Sequence, residues 1–183
     1  NCVFLNNSVH EMEIENNSMD FGYSLGVLHH ITKSQEGLNA CVSKIKPGAP
    51  FLLYLYYSFE NRPFWYRVLW KISNYMRLIT SRFPFIIKLL ISKIMAVIVY
   101  YPLARLALLA SKFMDASNFP LSIYKDKSFY TMQTDALDRF GTRLEKRYTK
   151  FETKKMMETA GLERIVFSDN EPYWVAIGYK KSN

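Results

Sequence analysis

The sequence predicts an α/β fold, a mainly parallel sheet with crossover helices, carrying one long helical stretch between its strands. Three observations lead there. Short, nearly all-apolar strands alternate with an amphipathic helix over residues 2–57, as in a sheet covered on both faces. A capped helix and two closely spaced strands fill residues 149–179. Between them, residues 58–115 keep helical periodicity without any strand pattern. The 183 residues supply one ordinary domain with a real core, and 49% hydrophobic, 22% charged composition excludes a disordered chain.

Residues 2–6 form a short apolar run ending in Asn6-Asn7-Ser8, the pattern of a parallel strand that opens into a loop. Residues 19–26 are a second apolar strand closed by a glycine. Thr32 and Gln35 have capping-box spacing and open a helix that carries Leu38, Cys41, Val42 and Ile45 on one face. Lys44 and Lys46 sit near its C-terminus, and Pro47-Gly48 ends it. Residues 51–57 then read as a strand covered on both faces. Thr149 and Glu152 make a second capping box, for a helix with Phe151, Met156, Met157 and Ala160 that Gly161 closes. Residues 162–167 and 173–179, joined by the polar segment 168–172, read as an antiparallel hairpin.

The middle of the chain is different. Trp65, Val68, Leu69, Ile72, Met76 and Ile79 make one helical stripe, with Arg67, Lys71 and Asn74 on another face. Pro84 opens a run to Tyr101 that is apolar nearly all round except at Lys88 and Lys93, and Pro102 interrupts or restarts it. Nine basic residues against Glu60 and Asp115 give this stretch +7 of the chain's net +8. A spanning helix needs ~20 mainly apolar residues, and Lys88 and Lys93 break that run. Two readings stay open for residues 62–113: a helical lid whose Lys and Arg snorkel to solvent, and an interfacial segment in peripheral contact with a membrane. Nucleic acid is not expected, because the charge is interleaved with apolar faces rather than gathered into a hydrophilic stripe. Cys2 and Cys41 cannot make a disulfide scaffold, which points to free thiols in a reducing, cytoplasmic setting.

The segment Met19-Asp20-Phe21-Gly22-Tyr23-Ser24-Leu25-Gly26-Val27-Leu28-His29-His30 resembles the "FD-x-V-x-S-x-x-V-L-H-H" segment of class I S-adenosylmethionine-dependent methyltransferases. Lys46-Pro47-Gly48-Ala49-Pro50-Phe51-Leu52 resembles that family's "LKPGG-x-L" approach to its fifth strand. Ala160-Gly161-Leu162 resembles its turn before the sixth strand, and the terminal strand pair resembles its reversed last pair. The resemblance covers residues 1–57 and 128–180, four pieces in the family's order. It implies a Rossmann-like sheet that is incomplete at its N-terminus, with a helical insertion after the fifth strand and a C-terminal antiparallel hairpin. The domain division it implies is residues 1–57 with 128–183, and the basic insertion 58–127.

The family's acidic, glycine-rich cofactor loop has no counterpart here. The seven glycines, at 22, 26, 37, 48, 141, 161 and 178, contain no G-x-G, and only glycine permits the close backbone approach such a loop makes. Residue 1 thus falls just before the family's third strand, and two missing β-α units would account for roughly 60 residues. The chain is expected to be the C-terminal part of a methyltransferase, inactive by itself.

The resemblance implies S-adenosylmethionine as cofactor and a small-molecule or lipid-attached acceptor. On the cofactor side it points to Ser8 and Val9, at the adenine contact, and to Ser24, Leu25 and Gly26 at the end of a strand. Ser8 reads equally as a solvent-facing loop serine, and Gly26 equally as a packing glycine. His29 and His30 are the catalytic candidates. One of them could take a proton from the attacking hydroxyl or amine, or the pair could shape the cofactor pocket without proton transfer. A metal site is not expected, since adjacent side chains point apart and only His10 remains as a third imidazole. Tyr130, Asp135 and Arg139 are the acceptor-side candidates, with an ordered surface held by Asp–Arg pairing as the alternative. The rival to methyl transfer is a non-catalytic, membrane-peripheral binding protein using the helical insertion.

Overall fold

The computed structural model describes residues 2–116, 119–170 and 173–182. Two compact units divide it, one running to Glu60 and resuming at Leu144, the other Asn61–Arg143. The first unit is α/β. Its strands are β1 (Gly22–Leu25), β2 (Pro50–Tyr54), β3 (Leu162–Phe167) and β4 (Val175–Lys180), in the order β1-β2-β4-β3. β1 and β2 run parallel, joined by α1 (Ser34–Lys44), while β4 runs antiparallel to both of its neighbours. Two parallel strands need a crossover, and α1 supplies it. The crossover packs Leu38 and Val42 against Phe51, Leu53 and Leu55 of the β2 segment. Met157 of α6 (Lys150–Thr159) and Leu162 complete that core. Gly22 belongs to the same contact, since a Cβ there would lie 2.7 Å from the Phe51 ring.

The Thr149 capping box forms in full. Thr149 Oγ1 accepts from the Glu152 amide at 3.0 Å, and Glu152 Oε2 accepts from the Thr149 amide at 2.8 Å. Removing the hydroxyl orphans a donor in the first turn of α6. Thr149→Ala is therefore expected to cost about 1 kcal/mol, read as a lower urea midpoint with unchanged slope.

Two local expectations give way to tertiary structure. Residues 2–7 lie in no strand among the described residues, and Val3 and Phe4 are 87% and 93% exposed. An apolar run becomes a strand only when a neighbour pairs with it, and among the described residues none pairs with this one. At α1 the N-cap is Lys33, without a side-chain cap bond. The Gln35 amide that was to reach back instead donates to Asn39 Oδ1 at 2.8 Å and to the Met156 carbonyl at 3.0 Å. The strand expected over 19–26 pairs with β2 only at Gly22–Leu25, with a single bridge from Met19 to Ile45. The run 51–57 stays in the ladder from Pro50 to Tyr54. Asn1 and the turn residues Glu171 and Pro172 lie outside the described residues.

The second unit is helical: α2 (Phe64–Thr80), α3 (Phe85–Met95), α4 (Tyr101–Ala110) and α5 (Phe129–Gly141). Pro102 does not break the run. A π-helical stretch, Ala96–Tyr100, carries α3 into α4, where Pro102 occupies the first turn. Proline has no amide to donate, and the helix takes it up where its pairing has widened to i→i−5, the Tyr101 amide donating to the Ala96 carbonyl. The resulting helix, Phe85–Ala110, is long and apolar enough to cross a membrane by length and composition. Met132, Ala136 and Phe140 of α5 bury with Tyr100 and Ala104. Residues 128–143, expected with the sheet, therefore group with the helices.

The burial of this unit is inverted. The stripe Trp65, Val68, Leu69, Ile72, Met76 and Ile79 is exposed, whereas Arg77, Thr80 and Ser81 are buried. Arg77 explains part of the inversion. Its Nη1 donates to the Thr142 and Arg143 carbonyls at 2.9 and 3.0 Å, just past the end of α5, and its Nε donates to Asn74. Carbonyls at a helix C-terminus lack intrahelical donors, and a guanidinium satisfies two at once.

Candidate functional site

The parallel strands β1 and β2 end side by side, Leu25 opposite Tyr54. Ligands of open α/β sheets bind at such carboxyl ends. The chain leaves β1 through Gly26, whose φ of 70° favours glycine and whose amide donates to the Tyr54 carbonyl at 3.1 Å. It then tightens into a 3-10 turn, Leu28–His30, that sets both histidines beside the aromatic tail of β2.

His29 is fully buried, and its ring stacks on Tyr56 at 3.8 Å between centroids and an interplanar angle of 30°. Among the described residues neither ring nitrogen has a hydrogen-bond partner. Burial, helped by the charges of His30 and Arg147, pushes its pKa down to about 3. The ring is thus neutral at physiological pH. His30 is half-buried and held differently. Its Nδ1 donates to the Leu144 carbonyl at 2.8 Å, which leaves Nε2 of the neutral ring as the acceptor. The His29 carbonyl accepts from the Lys146 amide at 3.0 Å, so residues 144–146 fasten both histidines.

Arg147 closes the site. Its guanidinium lies 5.1 Å from the Tyr56 ring and 4.5 Å from Phe59, and its Nη1 donates to the Tyr57 carbonyl at 3.2 Å. Glu145 Oε1 accepts from its Nε at 2.9 Å and its Nη2 at 2.8 Å. Both charged side chains are out of water, Glu145 at 2% and Arg147 at 13% exposure. The phenol of Tyr54, 5.9 Å from Tyr56, has its pKa raised by burial.

The structure brings some expected residues together and not others. Ser24 is buried on β1, Leu25 is exposed, and Gly26 forms the turn. Val9 packs against the core that holds Leu28. Ser8 is exposed, and its hydroxyl accepts from the His10 amide at 3.3 Å. Tyr130, Asp135 and Arg139 belong to the helical unit. Asp135 and Arg139 lie one turn apart on α5, and Arg139 donates to Ser73 Oγ at 3.0 Å with its guanidinium over Trp70. Tyr130 is exposed on another face. Sequence reasoning missed Tyr54, Tyr56, Glu145 and Arg147. The aromatic run 54–57 was the available signal, because it continues past the carboxyl end of a parallel strand.

No family model matches the sequence, and no curated protein matches it. Solved structures do. The chain is similar to a SAM-dependent methyltransferase of Thermotoga maritima described as a possible histamine N-methyltransferase, at 12% identity and TM-score 0.44, covering 97% of this chain and 63% of that one. It is similar to a candidate O-methyltransferase of Nostoc punctiforme at 12% identity and TM-score 0.46, covering 96% of this chain and 36% of that one. It is also similar to a possible exported protein of Bordetella parapertussis at 11% identity and TM-score 0.44, covering 96% and 43%. The chain spans less than two thirds of the length of each of these structures.

Proposed function

We propose that this chain is the C-terminal part of a class I S-adenosylmethionine-dependent methyltransferase acting on a small-molecule or lipid-attached acceptor. The observation that carries the proposal is the buried, unpartnered His29 ring stacked on Tyr56 at the carboxyl end of β2. Buried polar atoms are nearly always paired, and two unpaired nitrogens at a ligand-binding edge fit a pocket wall awaiting a polar group.

The residues present suit one end of the cofactor. The Tyr54 ring offers a face to a sulfonium cation, and the turn at Gly26 leaves backbone without a side chain. S-adenosylmethionine, when bound, supplies an electrophilic methyl group. His29, neutral and buried, shapes the wall. His30, fixed through Nδ1, turns a basic Nε2 toward a proton released by the acceptor. The rest of the rate would come from positioning nucleophile and methyl in line. Ser8, Val9, Ser24 and Leu25 remain the further cofactor-side candidates of this reading, and Tyr130, Asp135 and Arg139 the acceptor-side ones.

Calorimetric titration of S-adenosylmethionine into protein made from the whole open reading frame tests the proposal. Saturable binding is expected, weakened about tenfold in Tyr54→Leu, which keeps an apolar side chain but loses the ring quadrupole. Wild-type protein that takes up no cofactor sinks the reading. A second reading, a non-catalytic membrane-peripheral protein, is favoured by the exposed apolar helices of the second unit.

A further inference from the structure

We infer that the helical unit docks on a lipid bilayer, seating the apolar faces of α2 and of the Phe85–Ala110 helix in the acyl boundary and its exposed cations among anionic headgroups. The inference stands apart from methyl transfer and does not depend on it.

Burial comes first. A helix apolar all round belongs either in a protein core or in lipid. Only 17% of the most apolar window of Phe85–Ala110 is buried by its own chain. What the helix buries is small apart from Tyr100: Ser92, Ala96, Ala104 and Ala107. Ile86, Leu90, Ile94, Val97, Ile98 and Leu106 face outward. Small residues at helix contacts with large apolar ones outside is the arrangement of helices packed in lipid.

The cations divide in the same sense. Of the nine in this stretch, three are turned inward onto carbonyls of the unit. Arg77 holds those of Thr142 and Arg143, Lys88 that of Gly141 at 3.1 Å, and Arg105 that of Lys125 at 3.0 Å while lying over the Tyr101 ring. Arg67, Lys71, Lys93 and Lys112 are exposed, Arg82 is exposed while donating to the Leu78 carbonyl of its own helix, and Arg62 lies over the Tyr66 ring. Residues 61–114 contain no Asp or Glu. Anionic headgroups complement such a surface, whereas a second copy would set like charge against like.

Depth follows from α5. It packs along the α3–π–α4 helix and carries exposed Thr134 and Asp138. One flank of the long helix is therefore clad in polar side chains, which fits a helix lying in the interface and not one crossing the bilayer.

Vesicle flotation of the full chain tests this, with phosphatidylcholine alone and mixed with phosphatidylglycerol. The chain should float with the mixed vesicles and partition at least about tenfold more weakly onto phosphatidylcholine alone. The double variant Ile86→Asp/Ile98→Asp, at two exposed positions, should lose at least about tenfold in partition with unchanged circular dichroism. If that variant misfolds, quenching of wild-type tryptophan emission by bromine-labelled acyl chains replaces it, and Trp65→Phe should remove much of the quenching. No flotation with either vesicle, or binding that salt abolishes and the double variant leaves intact, overturns the inference. So does a concentration-dependent dimer that the same substitutions dissociate, which would make a second copy the occupant.

Discussion

Arg147→Ala should destabilise the α/β unit severely, at about 3–5 kcal/mol of stability. The cost does not come from the attraction of the pair, which desolvation largely offsets. It comes from taking two charge-assisted donors away from a carboxylate that stays buried. Glu145 is 2% exposed, and Arg147 supplies both short contacts to its Oε1. The same substitution strips the guanidinium from the Tyr56 and Phe59 rings and the donor from the Tyr57 carbonyl. Removing both charges together in Glu145→Leu/Arg147→Met should recover much of the loss, since an apolar pair of similar volume needs no partner. Urea unfolding of the three proteins checks it. A double variant as unstable as Arg147→Ala would show that packing, not the donors taken from the buried carboxylate, sets the cost.

His29→Phe should act in the opposite direction, and increasingly so in acid. At neutral pH the substitution removes two buried nitrogens without partners, so stability should hold or rise. The pH dependence follows from proton binding. Folding lowers the His29 pKa from the ordinary 6.5 to about 3, so between those values the unfolded chain binds more protons than the folded one. Stability from this residue is thus complete above the unfolded value and is lost as pH falls toward the folded value. The limiting slope is about 1.4 kcal/mol per pH unit. His29→Phe lacks that slope, so the gap between variant and wild type should widen to a few kcal/mol in acid. Parallel stability curves for the two proteins between neutral pH and pH 4 would contradict this. If His29 serves a ligand, the stabilised variant should also bind S-adenosylmethionine less well, the usual trade at a functional site.

The sheet was legible because its signals are local and mutually consistent. The apolar face of α1, the Thr149 capping box and the two strands expected at 162–167 and 173–179, observed at Leu162–Phe167 and Val175–Lys180, each follow from spacing alone. Residues 2–6 and the Thr32 cap were misread for one reason: pairing partners decide them, and partners are not written in the run itself. For the helices, periodicity located the Trp65–Ile79 stripe correctly but could not say which way it faces. That depends on what the stripe is to be solvated by. In the site, His29, His30 and Gly26 lie within one short segment whose pattern is readable. Glu145 and Arg147 reach the same place from about ninety residues further along the chain, and only the fold unites them with Tyr56.

Methyl transfer, as proposed for this protein, requires a cofactor loop ahead of these strands. Reading the DNA immediately upstream of the Asn1 codon tests it most directly. The account predicts an in-frame extension encoding an acidic, G-x-G-x-G-type turn after an apolar strand. A stop codon followed by a start at or near Asn1 would contradict it.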